Sequence, residues 1–312
     1  ITFVLSECKD IKNMRVTQTY SFHSNGKLLI TGEYAVLDGA LAFALPTRKG
    51  QTLEVTENNE QGRWQAFDSN GNLWFDSAVL TTDDDQKVAQ TLQKILTTAA
   101  DLNPDFKDKW IHSQVQTHLE FPRLWGLGTS STLINNIAQW AAVNPYELLF
   151  KSFGGSGYDI ACAKSQTPLL YRLQEDKPHS YPLRFLFPHT PQIYFVYLNQ
   201  KQNSREGIAR YRSVSKSKRK LAESITRLTE RLVLVYTITD FCAILNEHEM
   251  LISEYLGIPT VKERLFPDYK GTVKSLGAWG GDFVLAISKT EDTPNYFLSK
   301  GFDICIPYDE MV

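Results

Sequence analysis

Charge of one sign is what this 312-residue chain is short of. It carries 33 Lys and Arg against 35 Asp and Glu, a formal net charge of −2. Such a chain exerts no global pull on a phosphate backbone or an anionic membrane, so nucleic-acid binding would need a local basic patch. Cysteine is sparse as well, at four. Cys8, Cys162, Cys242 and Cys305 lie far apart, and no pair has the two-residue spacing of a zinc knuckle or a redox site. Four thiols in so long a chain make no disulfide scaffold and point to a reducing compartment. No apolar run approaches the ~18 residues of a membrane span. The opening, ITFVLSECKDIKN, lacks a basic stretch followed by a long apolar core, so it does not read as a signal peptide; Met14 is a candidate natural start. What is there is a globular composition, 42% hydrophobic, at a length that suggests about two domains. The expectation is a cytoplasmic enzyme.

Periodicity sketches the elements. Alternation from Val16 to Phe22 predicts one strand and Lys27 to Thr31 another, followed by a turn at Asp38-Gly39. Asn, Asp and Gly at Asn58–Gly62 and Asp68–Gly71 punctuate hairpin-like segments. From Thr81 to Ala100 the period changes: Val88, Leu92, Ile95 and Leu96 share one helical face, and Asp83, Asp84 and Asp85 sit at its start, where carboxylates suit the helix dipole. A strand-like WIHSQVQTHLEF leads to a Gly-rich stretch, an apolar helix from Ser130 to Val143 and a short helix from Pro145. The proline-studded stretch Pro178 to Pro191 reads as a link to a second half. That half holds a strand from Gln192 to Leu198, an amphipathic helical region from Arg205 to Leu256 and a Gly-rich strand segment from Ser275 to Ile287. Strands and helices mix without a strict β-α-β-α rhythm, so the predicted fold class is α+β with two domains. The run KSKRK (Lys216 to Lys220) is the one concentrated basic segment. With no interleaved aromatics it reads as a solvated helix face, and no nucleic-acid or membrane partner is expected. Nothing in the pattern decides between a monomer and a homodimer.

Three separated Gly-rich segments carry the chemistry. In the middle one, FPRLWGLGTSSTLINNIAQW, Gly126 and Gly128 flank Leu127 and free the backbone for close approach to a ligand. Thr129, Ser130 and Ser131 then open a helix. A glycine loop feeding a helix N-terminus offers unpaired amides and a positive dipole end, a ready phosphate site, although an ordinary loop and cap would use the same residues. No Gly-Lys-Ser/Thr follows, so the Walker pattern is excluded. Asn144, Pro145 and Glu147 have the arrangement of a helix start: cap, first-turn proline and a carboxylate at the third position.

Taken together, four segments resemble those of the GHMP kinases in the family's order. SNGKLLITGEYAVLDGALAFAL resembles the first motif and GLGTSS the phosphate loop; GSGYDIACA resembles the stretch that supplies the catalytic aspartate and SLGAWGGDFVLAI the third, Gly-rich motif. The resemblance implies an N-terminal ribosomal-protein-like domain over residues 14–185 and a C-terminal ferredoxin-like domain over 186–312. It implies ATP in the cleft, with Mg²⁺, and the triphosphate around Gly126, Leu127, Gly128, Thr129, Ser130 and Ser131. By the same resemblance Lys27 contacts the transferring phosphate or the reacting hydroxyl, and Asp159 takes or orients the hydroxyl proton. Ser130 ligates Mg²⁺, and Glu33 lies near the substrate. Glu147 stands near the position of a family Mg²⁺ glutamate, and a capping role fits it equally well. Positioning, cationic neutralisation and an oriented nucleophile are what phosphoryl transfer requires.

Within the family, GEYAVLDG and GSGYDIACA, followed by LLYRL, stand closer to the phosphomevalonate kinase and mevalonate kinase group than to galactokinase or homoserine kinase. The implied acceptor is a small anionic alcohol of the mevalonate pathway, phosphomevalonate ahead of mevalonate. Lys201, Ser204, Arg205 and Arg172 are candidates to meet it, and Gly280 would bring backbone close to it. A sugar or another alcohol as acceptor, or a non-catalytic nucleotide- or RNA-binding protein of the same fold, are the alternatives. Three departures bear on the shape of the site: Asn25 where the family has proline, Leu124-Trp125 where a small residue is common, and Trp279 within the third glycine cluster.

Overall fold

A computed structural model describes residues 18–57, 61–78, 86–185, 187, 192–200, 204–277, 279, 281–290 and 292–312. The first half runs β1 (Gln18–Thr31), β2 (Ala42–Glu57), β3 (Arg63–Phe67), β4 (Leu73–Ala78), α1 (Gln86–Leu102), α2 (Phe106–Ile111), β5 (Ser113–Leu119), α3 (Thr129–Trp140), α4 (Pro145–Ser152), α5 (Tyr158–Lys164), β6 (Leu169–Gln174) and β7 (Lys177–Pro182). These strands form one sheet in the order β4-β3-β5-β2-β6-β7, with β1 paired antiparallel to β2. Pairing is antiparallel throughout except between β3 and β5. β5 shows why a strand forms there: Ser113, Val115, Thr117 and Leu119 are buried while the residues between them are not, the two-residue period of a half-buried sheet. Helices α3 and α5 lie on β1 and β2, and α1 packs Leu92, Ile95 and Leu96 into a core with Ile134, Ile137 and Trp64.

The second half runs β8 (Ile193–Tyr197), α6 (Ser204–Ser213), α7 (Lys218–Leu232), α8 (Ile238–Leu256), α9 (Val261–Leu265), β9 (Thr272–Ser275), β10 (Phe283–Ile287), α10 (Thr293–Ser299), β11 (Cys305–Pro307) and α11 (Tyr308–Met311). Its sheet order, β11-β8-β10-β9, is antiparallel at every pairing. Strand, helices, two strands, helix and strand in that order are the ferredoxin-like arrangement. The two sheets share a core. Ile30, Phe43 and Leu45 of the first cluster with Phe195, Phe283 and Leu285 of the second, and with Phe241 and Leu245 of α8.

Several sequence expectations shift. The two predicted strands before residue 31 are one 14-residue strand, because the polar Ser24-Asn25-Gly26 stretch keeps pairing with β2 and its side chains find buried partners. Trp110 and Ile111 belong to α2, not to β5: Phe106 packs edge-on against Trp140 at 4.7 Å, which draws this segment into a helix. Pro178 and Pro182 lie in β7, at the edge of the sheet, where a missing N–H costs least. The amphipathic stretch from 205 to 256 is three helices, α7 and α8 being capped by the side chains of Ser217 and Thr237. The carboxylates of Asp83, Asp84 and Asp85, the segment Asn58 to Glu60, and residues 1–17 lie outside the described residues.

Candidate active site

Lys27 owes its position to an irregularity in the strand. The β1–β2 register jumps between Asn25, opposite Gly50, and Lys27, opposite Pro46. Strand irregularities of this kind re-aim a side chain out of the regular pleat. The Lys27 amide donates to the Leu127 carbonyl at 2.9 Å, which fastens the glycine loop to the strand.

The loop then delivers α3. Gly128 stands at the N-cap with φ 96°, and no side chain caps the helix there. A Cβ at Gly128 would lie 2.8 Å from Ser131 Oγ and 3.1 Å from Lys27 Cγ, so this position has room only for glycine. Ser131 is buried and returns its hydroxyl to the Gly128 carbonyl at 2.9 Å, leaving the amides at the helix start uncapped by any side chain. Ser130 is exposed and Thr129 half-buried. The sequence therefore builds a helix start with no side-chain cap beside an ammonium group, which fits a phosphate chain.

Asp159 sits in the first turn of α5. Its Oδ1 lies 3.6 Å from Lys27 Nζ, with side-chain exposures of 26% and 15% respectively, so the pair is sheltered yet reachable. The Lys27 ammonium also lies 5.7 Å from the centroid of the buried Tyr158 ring. Tyr171 donates its hydroxyl to the Ser156 carbonyl at 2.5 Å and steadies the glycine turn before α5. At the far end of α5, Asn25 Nδ2 donates to the Ser165 carbonyl at 2.7 Å. The family's proline could not make that bond.

The third glycine segment closes the ring. A Cβ on Gly277 would stand 3.9 Å from Lys27 Nζ, and one on Gly126 would overlap the Asp282 carboxylate. Trp125 packs edge-on against Phe283 at 5.5 Å. Four segments separated in sequence thus converge on Lys27. Gly280 and Lys201 lie outside the described residues, as do the side chains of Ser204 and Arg205 at the start of α6.

Glu33 is the residue that the resemblance sets near the substrate. It has no exposed surface and pairs with Lys274, itself fully buried on β9. Lys274 Nζ also lies 3.1 Å from Glu249 Oε1, and Glu249 accepts from Ser275 Oγ and from Trp279 Nε1, both at 3.0 Å. Glu33 Oε2 faces His248 Nε2 at 3.3 Å, and that nitrogen accepts from the Gly32 amide at 3.1 Å. Burial, against the pull of Lys274, raises the Glu33 carboxyl to about 7. Burial and then Lys274 hold the His248 imidazole well below its ordinary range. Sequence reasoning missed Lys274, His248, Glu249 and the anchoring role of Trp279. The available signal was a His-Glu pair on α8 whose neighbours at helical spacing, Leu245 and Ile252, are core residues; the strand TVKS, with one apolar residue in four, offered none for Lys274.

Glu147 is exposed in the first turn of α4, where the Asn144 side chain accepts from the Tyr146 amide at 2.9 Å. No group of three metal-ligating side chains occurs among the described residues. Mg²⁺ is ordinarily held by one or two protein groups together with substrate phosphates, a pattern Ser130 and Glu147 fit by their chemistry. Arg172 donates from Nε to the Gly39 carbonyl at 2.8 Å and lines a cleft of about 420 Å³ with Arg219 and Arg227. In the KSKRK run, Lys216 Nζ donates to the Glu254 carbonyl at 2.5 Å and Arg219 pairs with Glu223 at 2.9 Å. Cys162, Cys242 and Cys305 are free thiols, each pushed above the usual thiol range by burial. Among the described residues no helix is long and apolar enough to cross a membrane.

The architecture defines a class: this is the fold of the GHMP kinases. Its structural relatives include phosphomevalonate kinase from Streptococcus pneumoniae, solved with phosphomevalonate and AMPPNP (TM-score 0.66, 16% identity, 90% of this chain and 95% of that one). Mevalonate kinase from Methanococcus jannaschii aligns with a TM-score of 0.65 at 14% identity, over 93% and 98% of the two chains. Galactokinase from Lactococcus lactis, complexed with galactose, gives 0.64 at 13%, over 91% and 89%. No protein-family model and no curated protein sequence matches the chain.

Proposed function

We propose that this protein is an ATP-dependent small-molecule kinase of the GHMP type, which transfers the γ-phosphoryl group to a mevalonate-pathway acceptor, phosphomevalonate ahead of mevalonate. The observation that carries the reading is the Lys27–Asp159 pair at 3.6 Å, enclosed by Gly128 and Gly277. On this reading the amides of Thr129, Ser130 and Ser131 receive phosphate oxygens, and the Ser130 hydroxyl holds Mg²⁺, with Glu147 as its second candidate. Mg²⁺, when bound, offsets phosphate charge. Asp159 accepts the proton of the acceptor hydroxyl as the new oxygen–phosphorus bond forms and the bond to the ADP oxygen breaks. Lys27 orients the carboxylate and balances charge on the transferring oxygens. On the same reading the domains divide between residues 185 and 186, and the resemblance assigns Glu33, Lys201, Ser204, Arg205 and Gly280 to the acceptor.

The acceptor preference rests on GSGYDIACA and GEYAVLDG, whose resemblance is to the phosphomevalonate kinase group. A sugar acceptor is the second reading, favoured by a galactokinase with the same fold at nearly the same TM-score. ADP release measured across mevalonate, phosphomevalonate, homoserine and galactose decides between them. Stimulation by phosphomevalonate is expected. Stimulation by galactose alone would overturn the acceptor and leave the kinase, and ATP turnover with none of the four would count against the whole acceptor class.

A further inference from the structure

We infer that Trp279 is a positioning residue for the Lys27 site: anchored by Glu249, it holds the β9–β10 turn against the Lys27 ammonium. The inference rests on the phosphotransfer reading of Lys27 and Asp159, and adds a residue that the reading does not use.

Trp279 interrupts a glycine cluster and stands at φ 33°, a backbone conformation that bulky residues avoid unless their surroundings over-determine it. Here they do. The ring is 6% exposed and sits in the core shared by the two sheets. Its indole N–H donates to Glu249 Oε1 at 3.0 Å. Glu249 is itself buried, held by Ser275 Oγ at 3.0 Å and Lys274 Nζ at 3.1 Å, so the acceptor is a fixed point. The base of the turn is closed by the Leu276 amide donating to the Phe283 carbonyl at 3.2 Å.

Both flanks of this anchor touch the site. Two residues before it, Gly277 borders the Lys27 ammonium: a Cβ added there would stand 3.9 Å from Lys27 Nζ. Three residues after it, the Asp282 carboxylate abuts Gly126 of the glycine loop. One side chain, planted in a buried ionic cluster, therefore fixes the distance between the turn and both the ammonium and the loop. Loosening it uncovers the Lys27 amine on the turn side, while Asp159 on α5 and the helix start of α3 keep their own supports. Misplacing a catalytic group by about 1 Å can cost on the order of a hundredfold in rate.

The test compares wild type with Trp279→Phe, which keeps an aromatic ring and deletes the donor, and with Glu249→Gln, which keeps an acceptor for the indole. Acylation of Lys27 by an amine-selective reagent is followed by peptide mass, with exposed Lys220 as internal reference. A severalfold faster reaction at Lys27 in Trp279→Phe, unchanged at Lys220, with Glu249→Gln nearer wild type, is expected. An unchanged Lys27 rate overturns the inference, and so does an equal rise at every lysine, which would report general loosening. Steady-state ADP release is read in parallel: kcat should fall about tenfold or more in Trp279→Phe, with KM for ATP within about twofold. Absence of turnover in wild type would sink the kinase reading, while the acylation result still decides the role of Trp279.

Discussion

The side-chain amide of Asn25 donates to the carbonyl of Ser165 at 2.7 Å, joining the strand that carries Lys27 to the end of the helix that carries Asp159. Two catalytic candidates 132 positions apart in sequence are thus tied through a hydrogen bond outside the site. Asn25→Ala removes the bond and leaves a partly sheltered carbonyl without its partner, a loss of about 1 kcal/mol on typical values. The unfolding free energy from denaturant titration should fall by that amount. Turnover should fall further than the stability loss explains, because the Lys27–Asp159 separation loosens. Full turnover in a measurably destabilised variant would show that the tie serves stability alone.

An alcohol is a weak nucleophile near neutral pH, and on the proposed reading Asp159 accepts its proton. Asp159→Asn preserves size while removing that capacity, so turnover should drop by ~10²–10⁴ with nucleotide affinity nearly intact. Lys27→Met should also reduce turnover, and the double variant should lose little more than the worse single one, since the residues act as a pair at 3.6 Å. Near-normal turnover by Asp159→Asn, with acceptor bound, sinks the assignment.

Gly128 tests the nucleotide side. Its φ of 96° and the 2.8 Å approach of Ser131 Oγ exclude a side chain without local rearrangement. Gly128→Val should cost about 1–3 kcal/mol in stability from backbone strain and weaken ATP binding in a protein that remains folded. Calorimetric titration with ATP reads the second effect directly. Unchanged affinity would move the phosphate site away from this helix start.

Much of this arrangement was legible in the sequence because glycine and helix-start residues act locally. Gly126, Gly128 and the Thr129–Ser131 helix start are visible in a window of a few residues, and so are Asn144 and Pro145 at the head of α4. The amphipathic face of α1 is likewise written in its period, and Leu92, Ile95 and Leu96 are buried as that period implies. What sequence could not supply is pairing at long range. Glu33 and Lys274 are 241 positions apart, and a buried lysine on a four-residue strand has no periodic signature. The same holds for β1: its Ser-Asn-Gly stretch has the letters of a turn, and pairing with β2 keeps it extended together with the partners Asn135, Asn136 and Ser165, more than a hundred residues away.

The buried Glu33–Lys274–Glu249 cluster carries two carboxylates for one ammonium, and Glu33 is the member that burial drives toward neutrality. Its Oε2 faces a histidine nitrogen that already accepts a backbone N–H, so two acceptors meet there unless the carboxyl carries a proton. The sign follows from linkage. With Glu33 raised from 4.5 to about 7, the folded chain binds the proton more tightly than the unfolded one, so this group's stabilisation is present below pH 4.5 and is lost as pH rises toward 7. The full effect is about 3 kcal/mol at most. His248 works in the opposite direction, since its imidazole stays neutral when folded and gains a proton on unfolding as pH drops through 6.5. Comparing wild type with Glu33→Gln separates the two, because the His248 contribution is common to both proteins. The stability of wild type relative to the variant should therefore decline from pH 5 to pH 7 in denaturant titrations. A flat difference across that window would mean that Glu33 titrates alike in the folded and unfolded chains, and that Lys274 outweighs its burial.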